Sequence, residues 1–128
     1  MAQNPTHQSV PDQVLAQGLT ALAAWGTGIP LQDLTGQGEY CRLVDNLLYS
    51  YFRHCAVLRW VLKARCQRPP KPPLRDLLEL GTCALLYLDN PPAPVWVDTC
   101  VRYAKRKFSK AEAGFTNAVL RNILRASP

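Results

Sequence analysis

The run Tyr40-Cys41-Arg42-Leu43-Val44-Asp45-Asn46-Leu47-Leu48-Tyr49-Ser50-Tyr51-Phe52 places Tyr40, Leu43, Val44, Leu47, Leu48, Tyr51 and Phe52 at i, i+3, i+4, i+7, i+8, i+11 and i+12. That is the period of one face of an α-helix, and a strand alternating every two residues cannot produce it. The same period extends to either side. Toward the N-terminus, Val14, Leu15, Leu19, Leu22 and Trp25 keep helical spacing behind a capping residue at or near Ser9. Gly26 and Gly28 end that helix and Pro30 bars its return. Residues 1–9 form a polar lead-in expected to be flexible, and Thr35-Gly36-Gln37-Gly38 reads as the loop into the second helix.

Toward the C-terminus a third helical stretch holds Leu58, Val61 and Leu62 on one side and Arg59 and Lys63 on another. Pro69-Pro70-Lys71-Pro72-Pro73 then makes a stiff, extended connector, a corner between packed helices rather than a free proline-rich ligand. Pro72 and Pro73 suit the first turn of a fourth helix, where missing N–H groups cost least. From Leu80 to Leu88 that helix is apolar almost all round, which places it at the centre of its domain. Asp89-Asn90-Pro91-Pro92-Ala93-Pro94 closes it. A fifth helix sets Val97, Val101, Ala104 and Phe108 on one side. A sixth, from about Ala111 to Arg125, sets Phe115, Val119, Leu120, Ile123 and Leu124 there. With no period-2 segment, the expected fold is an all-α bundle of six to seven helices forming one domain over residues 10–126.

The 128 residues suffice for one domain, and 48% hydrophobic against 19% charged residues excludes an intrinsically disordered chain. The longest dense apolar stretch, Leu80–Leu88, is far short of the roughly 18–20 residues that cross a bilayer. No leader opens the chain, so the expectation is a cytoplasmic protein with no membrane association. Cys41, Cys55, Cys66, Cys83 and Cys100 are odd in number and form no CxxC pair, and they read as small buried hydrophobes. Trp60, Trp96 and Tyr103 likewise read as core residues first, and as docking residues only second.

Catalytic motifs are absent from the sequence. There is no GxGxxG and no GxxxxGK[ST]. His7 lies in the lead-in, and His54, near an expected helix end, has no nucleophile and carboxylate around it. Two distant histidines cannot make a metal site. The expectation is a chain that is not catalytic by itself and takes no metal and no cofactor.

Charge is unevenly distributed. The net charge is +6, yet residues 1–38 contain Asp12 and Asp33 and no Lys or Arg. All 15 bases fall in residues 39–128, beside seven acids. A localised basic surplus suits an anionic partner, nucleic acid first among them. Two faces stand out. On the fifth helix Arg102, Lys105 and Arg106 lie opposite the apolar stripe, with Asp98 read as the i, i+4 partner of Arg102, and Lys107 and Lys110 extend the cluster. On the last helix Asn117, Arg121 and Arg125 form an i, i+4, i+8 row with Asn122 alongside. Such rows can follow a phosphate backbone, and Asn can bond a base or a 2′-hydroxyl. The alternative is a solvated face whose cations complement the helix dipole.

Two segments carry a family resemblance. One is Leu77-Leu78-Glu79-Leu80-Gly81, continuing through Leu85-Leu86-Tyr87-Leu88-Asp89 to Val97-Asp98-Thr99-Cys100-Val101-Arg102-Tyr103-Ala104-Lys105. The other is Ala113-Gly114-Phe115-Thr116-Asn117-Ala118-Val119-Leu120-Arg121-Asn122-Ile123-Leu124. Together they resemble the NusB family, and the GF-N-AVLR form is most similar to the N-terminal domain of ribosomal RNA cytosine methyltransferases of the Sun/Fmu (RsmB) type. The resemblance implies a NusB-like helical bundle that binds RNA. In antitermination factors of the family it pairs with a small ribosomal protein on a boxA RNA. In the methyltransferases it precedes a separate catalytic domain that uses S-adenosylmethionine. Lys105, Asn117 and Arg121 match family positions, Asn117 either touching RNA or tying helices together. The sequence departs from the family in its first segment, which usually carries Arg residues and here has none. That moves the expected RNA surface to Arg102, Lys105, Arg106, Lys107, Lys110, Asn117, Arg121 and Arg125. The expected partners are RNA, ribosomal first, and a methyltransferase catalytic domain or a small ribosomal-type protein. A helical protein–protein module without RNA is the remaining alternative.

Overall fold

A computed structural model describes residues 9–30, 33 and 40–126. The Thr35–Gly38 loop and all of the lead-in but Ser9 lie outside them. Five helices follow one another: α1 (Val10–Gly26), α2 (Cys41–Arg65), α3 (Pro72–Tyr87), α4 (Ala93–Lys107) and α5 (Lys110–Ala126). The fold is all-α, as the spacing implied. The count is five among the described residues rather than six to seven, and the reason is local. The second and third expected helices are one 25-residue helix, because no Gly or Pro interrupts the chain between Tyr40 and Arg68. His54 therefore sits in mid-helix, where its ring stacks on Tyr87 at 3.8 Å between centroids.

Capping explains the helix starts and stops. Ser9 and Asp12 form a reciprocal capping box at α1: the Ser9 hydroxyl oxygen accepts from the Asp12 N–H, and the Asp12 carboxylate accepts from the Ser9 N–H. Gly28 follows α1 with φ at +102°, a conformation that an L side chain rarely adopts. Pro72 and Pro73 open α3. Ser109 caps α5, its hydroxyl oxygen accepting the Glu112 N–H at 3.0 Å while its O–H donates to the Glu112 carboxylate.

The central helix is α3, which packs against all four others. Leu77, Leu78, Leu80, Cys83 and Ala84 are buried without residue. Gly81 is where α3, α4 and α5 converge. A Cβ placed there would lie 2.8 Å from the Cys100 sulfur and 3.4 Å from Leu120, so the glycine of the LxLG motif is a contact point between helices. The apolar run is less uniform than its sequence suggests: Leu85, Leu86 and Leu88 are half-buried and Tyr87 is exposed, because the helix end reaches the domain edge.

Two aromatic expectations part company. Trp96 is buried in the core, whereas Trp60 on α2 is 71% exposed; Tyr103 is half-buried. Phe115, assigned to the apolar side of α5, is also exposed. The cysteines are all free. Cys83 and Cys100 are buried, and burial pushes their thiols up to about 11 and about 12; the other three are half-buried. No helix among the described residues is long and apolar enough to cross a membrane.

Candidate nucleic-acid interface

Of the eight cationic and amide side chains singled out on the last two helices, seven fall into two groups and Arg125 stands apart. The first serves the fold. Arg102 reaches from α4 to α1, where its guanidinium donates to the Asp12 carboxylate at 3.0 and 3.3 Å and to the Thr99 hydroxyl at 3.3 Å. Asp12 is only 7% exposed, and α1 contributes no cation of its own, since the first 38 residues contain none. Burial pushes the Asp12 carboxyl up, but bonds from the Ser9 side chain and backbone and from Arg102 outweigh it and hold the group below its ordinary 3.8. Arg121 bonds the Asn117 side-chain carbonyl at 2.8 Å and reaches Asp98 at 3.3 Å.

The pairing of Asp98 with Arg102 is therefore corrected. Asp98 meets Arg121 of α5, and Arg102 meets Asp12 of α1. Buried Asp12 holds its partner more strongly than an exposed carboxylate one turn away on the same helix can. Asn117 accepts from Arg121 one turn further along α5, a bond within one helix.

The second group remains available to solvent. Lys105, Arg106 and Lys107 occupy the last turn of α4, and Lys110 opens α5 three residues later. All four are exposed and form no ion pair among the described residues. Arg106 lies over the Tyr103 ring at 5.9 Å, and Tyr103 packs edge-on against Phe108, which limits the freedom of that guanidinium. The three cations at the α4 terminus also face its negative dipole end. Arg125 is not part of this group. It lies fifteen residues beyond Lys110, about 22 Å along the axis of α5, next to Asn122, which accepts a hydrogen bond from Arg65 of α2 at 3.1 Å.

A buried polar group that sequence reasoning did not single out sits on α3. Glu79 is 3% exposed; it accepts the Tyr51 hydroxyl at 2.6 Å and faces Arg59 at 3.6 Å. Burial, reinforced by the carboxylate, pushes the Tyr51 phenol far above its ordinary range. These three residues border a cleft of about 470 Å³ between α1, α2, α3 and the end of α4. A Glu at the start of the apolar run of α3, flanked by Leu78 and Leu80, was the available signal, since a carboxylate so placed needs a partner. No group of three or more His, Cys, Asp and Glu side chains able to hold a metal occurs among the described residues.

Comparisons with known proteins follow the fold. The model of the NusB family matches residues 13–125. Two Mycobacterium tuberculosis proteins described provisionally as methyltransferases, one from each of two strains, are 38% identical over 89 residues. That match covers 67% of this chain and 19% of theirs, so the chain spans about a fifth of the length of these curated relatives. Among solved structures, a complex of the antitermination factors NusB and NusE with double-stranded RNA contains a chain that superposes with a TM-score of 0.78 at 16% identity, covering 91% of this chain and 96% of that one. NusB of T. maritima gives 0.76 at 14% identity, with 93% of each covered. At those identities the structural matches establish the fold.

Proposed function

The chain belongs to the NusB family, and from that premise we propose that it is a non-catalytic RNA-binding domain that holds substrate RNA for a ribosomal RNA 5-methylcytosine methyltransferase. The observation that carries RNA binding is the group Lys105, Arg106, Lys107 and Lys110, gathered at the α4–α5 junction without carboxylate partners among the described residues. Four cations on two successive helix ends can contact successive phosphates, while Arg102, Asn117 and Arg121 position the helices that present them. Arg125 contributes from the far end of α5. The link to methylation rests on the 38% identity to methyltransferase-described relatives. A free-standing antitermination-type factor with a small protein partner is the second reading, favoured by the fold match to NusB crystallised with NusE and RNA.

The test is a titration of labelled ribosomal RNA fragments followed by fluorescence anisotropy across a salt series. Four phosphate contacts predict a log affinity that falls with log salt at a slope near −3. Replacing Lys105, Arg106, Lys107 and Lys110 together by Glu is expected to abolish measurable binding. An unchanged affinity in that variant removes the α4–α5 junction from the interface, and absence of binding by the unaltered chain at low salt removes the RNA reading. Supplying the catalytic region of a methyltransferase relative, and finding that it methylates RNA better with this chain present, separates the first reading from the second.

A further inference from the structure

The largest concentration of positive charge is elsewhere. Between positions 53 and 75 lie Arg53, Arg59, Lys63, Arg65, Arg68, Lys71 and Arg75, and no Asp or Glu. These cations occupy the second half of α2, the proline connector and the first turn of α3. The connector brings them together. A cleft of about 660 Å³ is lined by Arg59, Lys63 and Arg75, and a second of about 710 Å³ by Arg65, Arg68 and Lys71. The two clefts share Gln67, Pro69 and Pro70 and so form one continuous track over the connector. Two carboxylates reach it from other helices. Glu79 is already held by Tyr51 and Arg59, and Glu112 by Ser109. Neither neutralises Lys63, Arg68 or Lys71, which are exposed and form no ion pair among the described residues.

Trp60 lines neither cleft but shares a helix face with residues that line the first. Lys63 and Gln67 line the first cleft, and Trp60 precedes them by three and seven residues, so all three share one face of α2. It is the most exposed large hydrophobic side chain among the described residues, at 71%. An exposed aromatic ring flanked by cations, beside rigid grooves lined by cations, is the arrangement that binds a single strand through base stacking and phosphate contacts together. Exposed Val57, one turn before Trp60, and Phe115 at the second cleft add apolar surface, but a protein docking face would also bring carboxylates of its own, and the acid-free run supplies none.

We propose that Trp60 and the connector cations form a single-stranded RNA track separate from the α4–α5 junction, with bases stacking on Trp60 and the backbone passing over Lys63, Arg68 and Lys71. Arg125, three residues past Asn122 and so beside Arg65, extends it. This rests on the RNA-binding reading but assigns a different surface and a strand type. The strand leaves the track along α5, and the α4–α5 junction holds a second part of the same RNA.

The probe is a labelled oligouridylate of about 12 nucleotides, long enough for one such track, titrated into the full chain by anisotropy at several salt concentrations. Trp60→Ala is expected to weaken binding about ten-fold. Replacing Lys63, Arg68 and Lys71 together by Glu is expected to lower the magnitude of the salt slope by about 2, since each contact on a single strand contributes about 0.7. All four side chains are exposed, so circular dichroism and thermal unfolding are expected to match the unaltered chain. RNA-induced quenching of tryptophan fluorescence in a Trp25→Phe background, where Trp96 remains buried, reports stacking on Trp60 without altering the track. Oligouridylate binding that neither substitution changes overturns the track and leaves the face to a protein partner. Failure to bind oligouridylate while ribosomal RNA fragments bind overturns the track alone. Failure of both RNAs overturns the RNA reading with it.

Discussion

The two basic regions of this molecule use their charge differently. On α4 and α5, two of the four arginines are occupied: Arg102 with Asp12 and Arg121 with Asp98. On the second half of α2, the connector and the first turn of α3, seven cations meet two carboxylates, Glu79 and Glu112, and only Arg59 pairs with one of them. The first region joins helices and presents what is left over at its α4–α5 junction. The second presents nearly all it has. Counting cations along a sequence cannot separate these uses, because the carboxylate that claims Arg102 lies 90 positions away.

The strongest way to break the division is to reverse a cation of each kind. Arg102→Glu sets a second carboxylate beside nearly buried Asp12 and is expected to cost about 2–4 kcal/mol in urea unfolding, less than a fully buried pair because Arg102 is itself half-exposed. Lys63→Glu and Lys107→Glu are expected to stay within about 0.5 kcal/mol of the unaltered chain. If all three unfold at one midpoint, the distinction between occupied and available cations has no energetic content.

A smaller effect follows from pH. The Asp12 carboxyl titrates below its ordinary value in the folded chain, so its ionised form stabilises the fold. That contribution is complete above the unfolded value near pH 4 and is lost as pH falls through the lower folded value. The loss is expected to be about 1 kcal/mol and is read from urea midpoints between pH 5 and the acid limit of the folded state. Asp12→Asn is expected to be less stable at pH 7 and to lack this part of the acid slope. Asp76 on α3 works in the opposite sense, since burial raises its carboxyl and protonation eases its cost, so a variant at Asp76 steepens the acid loss.

Much of the fold was legible in the sequence because helix faces are written by local spacing. Val44, Leu47, Leu48 and Tyr51 are buried as their period required, and α3 is central as its apolar run required. The extra break expected within α2 had no Gly or Pro behind it, and a continuous helix was the better reading. The family was legible from the LxLG and GFxNAVLR segments, and Gly81 shows why a glycine stands in the first of them. The candidate site was legible only in part. The residue types on α4 and α5 were found, but their partners depend on which helices meet, and a long-range pair such as Arg102 with Asp12 leaves no periodic trace. The connector track had a visible signal in its acid-free run of bases, which the prolines drew attention away from. The exposure of Trp60 had none, because an aromatic residue on a helix is more often core.

The finest distinction concerns Arg121, which stands between the two uses. Its contact with Asp98 is 3.3 Å long with both side chains about half-exposed, so a double-mutant cycle over Asp98→Ala and Arg121→Ala is expected to give no more than about 0.5 kcal/mol of coupling. A pair that weak holds Arg121 in place through Asn117 as much as through Asp98, and it can exchange the carboxylate for a phosphate at little cost. Arg102 cannot, because leaving Asp12 strands a nearly buried charge. Asp98→Asn therefore releases Arg121 and removes a negative charge from the RNA side at once. It is expected to tighten RNA binding about two- to three-fold in the anisotropy titration while leaving the urea midpoint almost unchanged. Weaker binding in that variant would mean that Asp98 aims Arg121 at the strand, and would move Arg121 from the helix-joining group into the interface proper.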